Sequence, residues 1–492
     1  MATSLVIGPP GTGKTTYCLN KVDEFLQKGY LPHQIAFLSF TKQAAREASE
    51  RAISRFKMFD EKQFVWFRTL HSLAWRLNNM QWEQAFKDSD WRKFGAIMGL
   101  KFGTVLQKAM DGTLDAEDCQ TEGDHLARIE QFARVLGITL EASYSKFCET
   151  DMPWERLVQY TTAYQQYKTH KGIYDYIDII NMCDSKLDVK LCIFDEAQDM
   201  TPQQFRMAER VAADVPNVLY AGDDMQAIFA WAGADVEHFV DVAEDKIVLP
   251  KSYRLPKEIF DVAHALEGRV ERNYKREWTH NEAKRGAVRR VSSLASLPLR
   301  DGGDWLLIGR NWKTLDEHYV VHLRTNGFPY LYGRTSSLDA PQIQAVIDYE
   351  TARKRIPITR DAAMRIFKYI DKKDMVDAHK DIYTIDELGI AGLGNWMEAL
   401  TLITEFDREY IRALLRAGVK LRDKPRIRVD TIHGTKGGEC DNVAILTDMS
   451  HKSFNSFQKN PDAEVRLFYT GVTRAKENLY IIEPQTPQHF II

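Results

Sequence analysis

Cysteine is scarce and unpatterned in this sequence: six residues, at 18, 119, 148, 183, 192 and 440, among 492, with no C-x-x-C pair. That excludes a disulfide framework and the usual zinc modules, and the thiols are expected to be reduced and mostly buried. No H-E-x-x-H is present. No apolar run approaches the roughly eighteen residues of a membrane span. Met1-Ala-Thr-Ser4 leads directly into an apolar run, leaving no room for an export signal. An excess of one charge is missing too, since 66 Lys and Arg against 69 Asp and Glu leave −3. Contact with a phosphate backbone must therefore come from a local groove and not from a global field. There is no fixed-period repeat and no low-complexity tract. The 44% hydrophobic and 27% charged residues are ordinary for a globular protein, and the length calls for several domains.

The strongest stretch that is present is Gly8-Pro-Pro-Gly-Thr-Gly-Lys-Thr-Thr16. Before it, Ser4-Leu-Val-Ile7 reads as a buried parallel strand. After it, Thr15 to Lys28 carries apolar residues at helical spacing. A glycine loop between strand and helix is the context that G-x-x-x-x-G-K-[ST] requires. Gly8, Gly11 and Gly13 let the backbone turn so that amides converge on phosphate oxygens, with Thr12 and Thr16 in the same cradle. The helix N-terminus adds positive potential. Lys14 is expected to reach the outer phosphates and the Thr15 hydroxyl to ligate Mg²⁺.

Strands and helices alternate through the first part, as in a doubly wound α/β domain. Ile35-Ala-Phe-Leu-Ser39 and Phe64-Val-Trp-Phe67 read as the next strands, with a helix from Lys42 to Phe56 between them. From about 76 to 185 the β signal fades, and Trp82, Phe86, Trp91, Phe94 and Ile97 recur at helical spacing. Strands resume at Leu191-Cys-Ile-Phe194 and Val218-Leu-Tyr-Ala221. A second α/β unit is expected to start near Lys246-Ile-Val-Leu249 and to be interrupted by a helical, polar stretch, with helices at Ala362–Asp371 and Asn395–Ala417. The expected division is one sheet domain at 1–75 and 186–244 with a helical insertion at 76–185. A second sheet domain at 245–340 and 425–492 carries a shorter insertion at 341–424.

Asp195-Glu196 follows an apolar strand, at the edge where ligands sit in open α/β sheets. Nucleotide-bound Mg²⁺ wants a carboxylate opposite the loop threonine, which Asp195 supplies. Glu196 can orient and deprotonate an attacking water. Gln226, in Ala221-Gly-Asp-Asp-Met-Gln226, follows the next strand and can sense the γ-phosphate or hold the water. Phe229 and Trp231 then either stack on nucleic-acid bases or belong to the core. Arg254 and Arg474 either form a second wall that neutralises transition-state charge or are surface arginines. Asn20-Lys-Val-Asp23 matches a guanine-reading pattern but lies inside the helix leaving the loop, so it is discarded.

In order, these stretches resemble the motif series of superfamily 1 helicases of the UvrD/Rep/PcrA-like group. The loop resembles motif I, Phe37-Leu-Ser-Phe-Thr-Lys-Gln-Ala-Ala45 motif Ia, and Thr69-Leu-His-Ser72 motif Ib. Asp195-Glu-Ala-Gln-Asp199 is similar to motif II, and Ala221 to Asp235 to motif III. Ser252-Tyr-Arg254 resembles motif IV, Val429-Asp-Thr-Ile-His-Gly-Thr-Lys-Gly-Gly-Glu439 motif V, and Arg466-Leu-Phe-Tyr-Thr-Gly-Val-Thr-Arg-Ala-Lys476 motif VI. The resemblance implies two RecA-like parallel-sheet (P-loop NTPase) domains, with insertions matching the family's 1B and 2B. It implies ATP and Mg²⁺ served by Lys14, Thr15, Asp195, Glu196 and Gln226. Arg254 and Arg474 would contact the γ-phosphate from both domains, Tyr253 would stack on adenine, and Glu439 would hold the ribose. Phe40, Thr69, His71, Phe229, Trp231, Thr431 and His433 would line a single-strand path. The implied activity is ATP-driven 3′→5′ movement on single-stranded DNA with duplex unwinding. An RNA helicase of the same superfamily and a nucleotide-dependent switch are the alternatives. The implied partners are single-stranded DNA and single-strand/duplex junctions, with replication or repair proteins alongside a monomer. The implied location is the cytoplasm of a bacterium or of a virus-infected host. The chain departs from the family at Ala232, where a basic residue is usual, and at Gly438, where leucine is. No family glutamine precedes motif I, and the second insertion is short.

Overall fold

A computed structural model of the chain describes residues 2–39, 42–56, 59–103, 119–148, 150–371 and 380–492. The chain divides into two units, Met1–Lys284 with Asn460–Thr470, and Arg285–Lys459 with Gly471–Ile492.

The first unit is built on six parallel strands: β1 (Ala2–Ile7), β2 (Ile35–Ser39), β3 (Phe67–Thr69), β4 (Leu191–Asp195), β5 (Asn217–Gly222) and β6 (Asp245–Val248). Their order is β3-β2-β4-β5-β1-β6. The central strands β2 and β4 are buried along their whole length because both faces are covered, while the edge strands β3 and β6 carry charged residues. Val6, Phe37, Ile193 and Leu219 meet Cys18, Val22 and Phe25 of helix α1 (Lys14–Gln27) on one face. Their alternates Leu5, Leu38, Phe194 and Tyr220 pack on the other, among Leu73, Phe205 and Met207. The register aligns the carboxyl ends. Ser39 faces Thr69 and Asp195, Asp195 faces Ala221, and Ile7 faces Gly222 and Val248.

Two expectations need correction here. The third strand begins at Phe67, not Phe64, because Phe64 leaves the ladder to pack its ring against Phe56 and Phe67. The strand at Lys246–Leu249 does not open a second unit. It pairs with β1 as the last strand of the first sheet, so the first unit continues to Lys284.

The 76–185 stretch contains helices Asp88–Met98, Glu122–Leu136, Leu140–Phe147, Trp154–Lys171 and Tyr176–Asn181. Trp91, Phe94, Tyr160 and Tyr164 form their shared core, while Trp82 and Ile97 stay exposed. Arg134 and Lys168 are held there by Asp175 at 2.7 and 2.8 Å and by Asp178 at 3.0 and 2.5 Å.

The second unit has a seven-stranded sheet. In chain order its strands are β7 (Ala287–Val291), β8 (Trp305–Gly309), β9 (Tyr330–Tyr332) and β10 (Thr335–Ser336), followed after the insertion by three more. The insertion carries helices Pro341–Arg353, Arg360–Phe367, Trp396–Ala399 and Glu405–Arg416, and a ribbon of β11 (Ile358–Thr359) and β12 (Ile382–Tyr383). The helix expected over 395–417 is thus two. The second restarts where the Thr404 side chain accepts from Asp407 N, an N-cap that competes with helix continuation. β13 (Ile427–Thr431), β14 (Cys440–Leu446) and β15 (Ala475–Ile482) complete the order β10-β9-β13-β8-β14-β15-β7, in which β10 alone runs antiparallel to its neighbour. Among the described residues no helix is long and apolar enough to cross a membrane.

Candidate active site

The loop after β1 is shaped by two glycines in the left-handed region, Gly11 at φ +73° and Gly13 at φ +83°. Gly13 occupies the cap position of α1 without a side chain, and the first turn holds no acid. The first amides of α1 therefore face the loop with no carboxylate competing for them, as an anion site needs. Thr12 Oγ1 donates to Pro9 O at 2.8 Å and fixes the loop's width.

Lys14 Nζ lies 2.7 Å from Glu196 Oε1. Burial alone would lower the Lys14 pKa, but the carboxylates of Glu196 and Asp195 outweigh it and hold the ammonium above its ordinary value. Burial pushes Asp195 up to about 6, against the pull of Lys14. The Thr15 hydroxyl bonds to that same carboxylate, so the two groups expected to hold Mg²⁺ meet. Both are hard oxygen donors and fit the ion, which takes few protein ligands beside nucleotide phosphates. Glu196 has φ +57°, rare for a residue with a Cβ, at the residue expected to handle water.

Four residues in this region were not singled out in the sequence. Gln198 donates through Nε2 to Glu196 Oε2 at 2.6 Å and accepts from Asp223 N at 3.1 Å. Gln226 Nε2 donates to Asp223 Oδ2 at 2.7 Å. Arg276, fully buried, lies 3.0 Å from Asp223, 2.8 Å from Glu267, and bonds to Asp224. Burial raises Asp223 to about 6, opposed first by Arg276. Ser252 Oγ donates to Pro10 O at 2.7 Å. Gln198, Asp223 and Ser252 stand inside motif stretches quoted above. The only signal for Arg276 is the acid doublet Asp223-Asp224 at the end of a buried strand, which demands a buried cation.

Because β6 joins the first sheet, Ser252-Tyr-Arg254 issues from the same edge as the loop. Tyr253 N donates to Gly11 O at 2.8 Å. A Cβ built on Gly11 would lie 2.2 Å from Arg254 Cβ. Arg254 therefore belongs to Lys14's own unit, which corrects the expectation that it faces Lys14 from the second domain. The Tyr253 ring is 65% exposed and sits 3.9 Å from a Cβ built on Gly13, beside the loop.

In the second unit, Arg474 is buried and donates through Nη1 to Gly438 O at 3.0 Å. Glu439, next to that carbonyl, is exposed.

Of the strand-path residues in the first unit, Thr69 caps helix Leu70–Leu77 by accepting from Ser72 N at 3.2 Å. His71 meets the Tyr176 ring edge-on at 5.6 Å. Phe229 and Trp231 are half-buried, with ring centroids 5.9 Å apart. Phe40 lies outside the described residues. In the second unit Thr431 Oγ1 accepts from Gly434 N at 3.1 Å, and His433 starts the turn after β13.

Two family models match the chain: the UvrD/REP helicase N-terminal domain over residues 1–247 and the UvrD-like helicase C-terminal domain over 362–486. An ATP-dependent DNA helicase PcrA of Leuconostoc citreum is 25% identical over 98% of this chain and 68% of its own length. Proteins of the same name from Staphylococcus aureus and Staphylococcus epidermidis are 23% and 24% identical, over 56% of this chain and 40% of theirs. The chain thus spans about two thirds of the first relative and well under half of the others.

Proposed function

The chain belongs to the UvrD/REP helicase family, and from that premise we propose that it is an ATP-dependent DNA helicase that moves 3′→5′ along single-stranded DNA and unwinds duplex. The observation that carries the reading is the register of the first sheet. The loop, the acid pair, the Gln226 turn, Thr69 and Ser252-Tyr-Arg254 all leave one edge of one parallel sheet.

Lys14 binds the outer phosphates of ATP, leaving Glu196 to orient and deprotonate the attacking water. Thr15 and Asp195 would hold Mg²⁺, which supplies charge neutralisation on the phosphates. Arg254 faces the γ-phosphate from beside Gly11, and Arg474 is the second unit's contribution. Tyr253 stacks on adenine and Glu439 holds the ribose. Gln226 ends the short turn Asp224–Gln226 after β5 and Trp231 lies in the next, Ala230–Ala232, so a change at the phosphate reaches the base-stacking residues through five positions of chain. Thr69, His71, Phe229, Trp231, Thr431 and His433 line the strand path. The helical stretches 76–185 and 341–424 serve as 1B and a shortened 2B.

The test is ATP turnover with no nucleic acid, with single-stranded DNA and with single-stranded RNA, followed by unwinding of duplexes with a 3′ or a 5′ tail. DNA-stimulated turnover and preference for the 3′ tail are expected. Turnover that stays negligible with every nucleic acid would remove the motor reading, and stimulation by RNA alone would redirect it.

A further inference from the structure

The second sheet carries an aromatic pair, one ring exposed and one half-buried, that none of the motifs above includes. Trp312 follows β8, and Tyr332 ends β9. Their ring centroids are 4.3 Å apart at an interplanar angle of 31°. Trp312 keeps 37% of its surface exposed. A surface tryptophan usually lies wherever the chain leaves it; this one is held. Asn311, one residue before it, donates to Ser453 Oγ at 2.9 Å and accepts from Ser450 N at 3.0 Å. Its carbonyl accepts from Thr314 Oγ1 at 2.9 Å and Leu315 N at 3.1 Å, which starts the helical turn carrying Trp312. The Tyr332 hydroxyl is tied to the Asp316 carboxylate. The indole lies over the Gly333 turn, 3.8 Å from where a Cβ would stand.

The pair's position gives it a use. Thr431 faces Gly309 at the end of β8, and Ile432 N donates to Gly309 O at 2.9 Å. Thr431-Ile-His433 and Arg310-Asn-Trp312 therefore leave neighbouring strands at one carboxyl edge. In the chain Lys313 follows Trp312 and Arg334 stands two residues after Tyr332, and both are exposed. A fixed, half-exposed aromatic face with cations next to it in the chain is the chemistry that stacks an unpaired base while its phosphates are neutralised.

We propose that Trp312, backed by Tyr332, is a stacking platform for a base of single-stranded nucleic acid on the second unit. The assignment rests on the strand-tracking reading of Thr431 and His433. Stacking does not read the sugar, so the platform serves deoxyribose and ribose strands alike.

The test is binding of fluorescein-labelled oligothymidylate and oligouridylate to the full chain, wild type and W312A, W312F and K313A. W312A should bind both about 5- to 150-fold more weakly, the range for loss of one stacked base. W312F should restore most of the loss. W312A should leave the slope of affinity against salt unchanged, because no phosphate contact is removed, whereas K313A should make it shallower. Thermal melting of W312A should match wild type. Wild-type binding with unchanged affinity in W312A overturns the platform and leaves the proposed function standing. No binding by wild type overturns both.

Discussion

Lys14 and Glu196 are ion-paired at 2.7 Å across the loop and the end of β4. In this arrangement the cation meant for phosphate and the carboxylate meant for water hold each other. In the proposed function a nucleotide draws Lys14 away, which frees Glu196 to take up a water. K14A should therefore abolish ATP hydrolysis while sparing strand binding. E196Q should keep nucleotide affinity and lose about 10²- to 10⁴-fold in kcat. Fluorescent-nucleotide binding beside single-turnover hydrolysis separates the two effects. Equal loss of nucleotide binding in both variants would contradict the exchange.

Gln198 links the acid pair to the Gln226 turn, holding Glu196 Oε2 with one end and Asp223 N with the other. It touches no expected substrate position, so its role is to orient. Q198A should lower kcat by about tenfold, roughly one hydrogen bond to a charged group, with KM for ATP little changed. Q198E places a second carboxylate against Glu196 and should lower kcat further. A rise in KM alone would assign Gln198 to binding.

The loop, Asp195-Glu196 and Gln226 were legible because each is a short pattern at a strand end, where apolar periodicity breaks into polar residues. The two-sheet, helix-interrupted α/β plan was legible from the same periodicity. The place of β6 was not: Asp245–Val248 is a short strand whose partner, β1, is about 240 residues earlier in the chain, and spacing carries no information about pairing. That misplacement also moved Arg254 to the wrong unit. Arg276 escaped because two of its three carboxylates, Asp223 and Asp224, come from a stretch that ends 52 residues before it. Trp312 reads in sequence as any tryptophan after a strand. Its exposure depends on the packing of Tyr332 and Asn311.

Gly11 combines a left-handed φ of +73° with contact against Arg254 and Ser252. G11A adds strain of about 1–2 kcal/mol and also pushes the 252–254 segment off the loop. Gly29 has φ +89° with open space around it, so G29A carries backbone strain alone. G11A should raise KM for ATP, while G29A should lower the melting temperature slightly with KM unchanged. Equal KM values in both would show that contact with Arg254 does not matter to nucleotide binding.

Asp175 accepts from Arg134, Lys168, the Tyr164 hydroxyl and Asp178 N inside the helical insertion. Burial alone would raise its pKa, but Arg134 and Lys168 hold it far below the usual carboxylate range. Its stabilisation is thus present above the unfolded value of about 3.9 and lost only as pH falls below it. D175N should cost about 3–5 kcal/mol at neutral pH, as removal of one partner from a buried ion network does. Urea unfolding should show the wild-type advantage at pH 7 and its narrowing only in strong acid. A constant gap at all pH would attribute the loss to shape and not charge.

Asp223 titrates where an enzyme assay can see it. Burial raises it to about 6, Arg276 pulls it down, the adjacent Asp224 raises it, and Gln226 and Lys14 lower it. Below that pH Asp223 is protonated and its attraction for Arg276 is lost, so Gln226 loses its charged acceptor and kcat should fall as pH drops through about 6. For stability the sign is opposite: from about 3.9 to about 6 the folded state holds the extra proton, so this group favours folding less as pH rises. Asp195 also sits near 6, but Arg276 is not among the groups that set it. Replacing Arg276 therefore tells them apart. R276M should move the acid limb of kcat to higher pH, and R276K should keep it near the wild-type position. Melting curves of both variants check that the fold survives. An acid limb that stays in place in R276M would assign it to Asp195 instead.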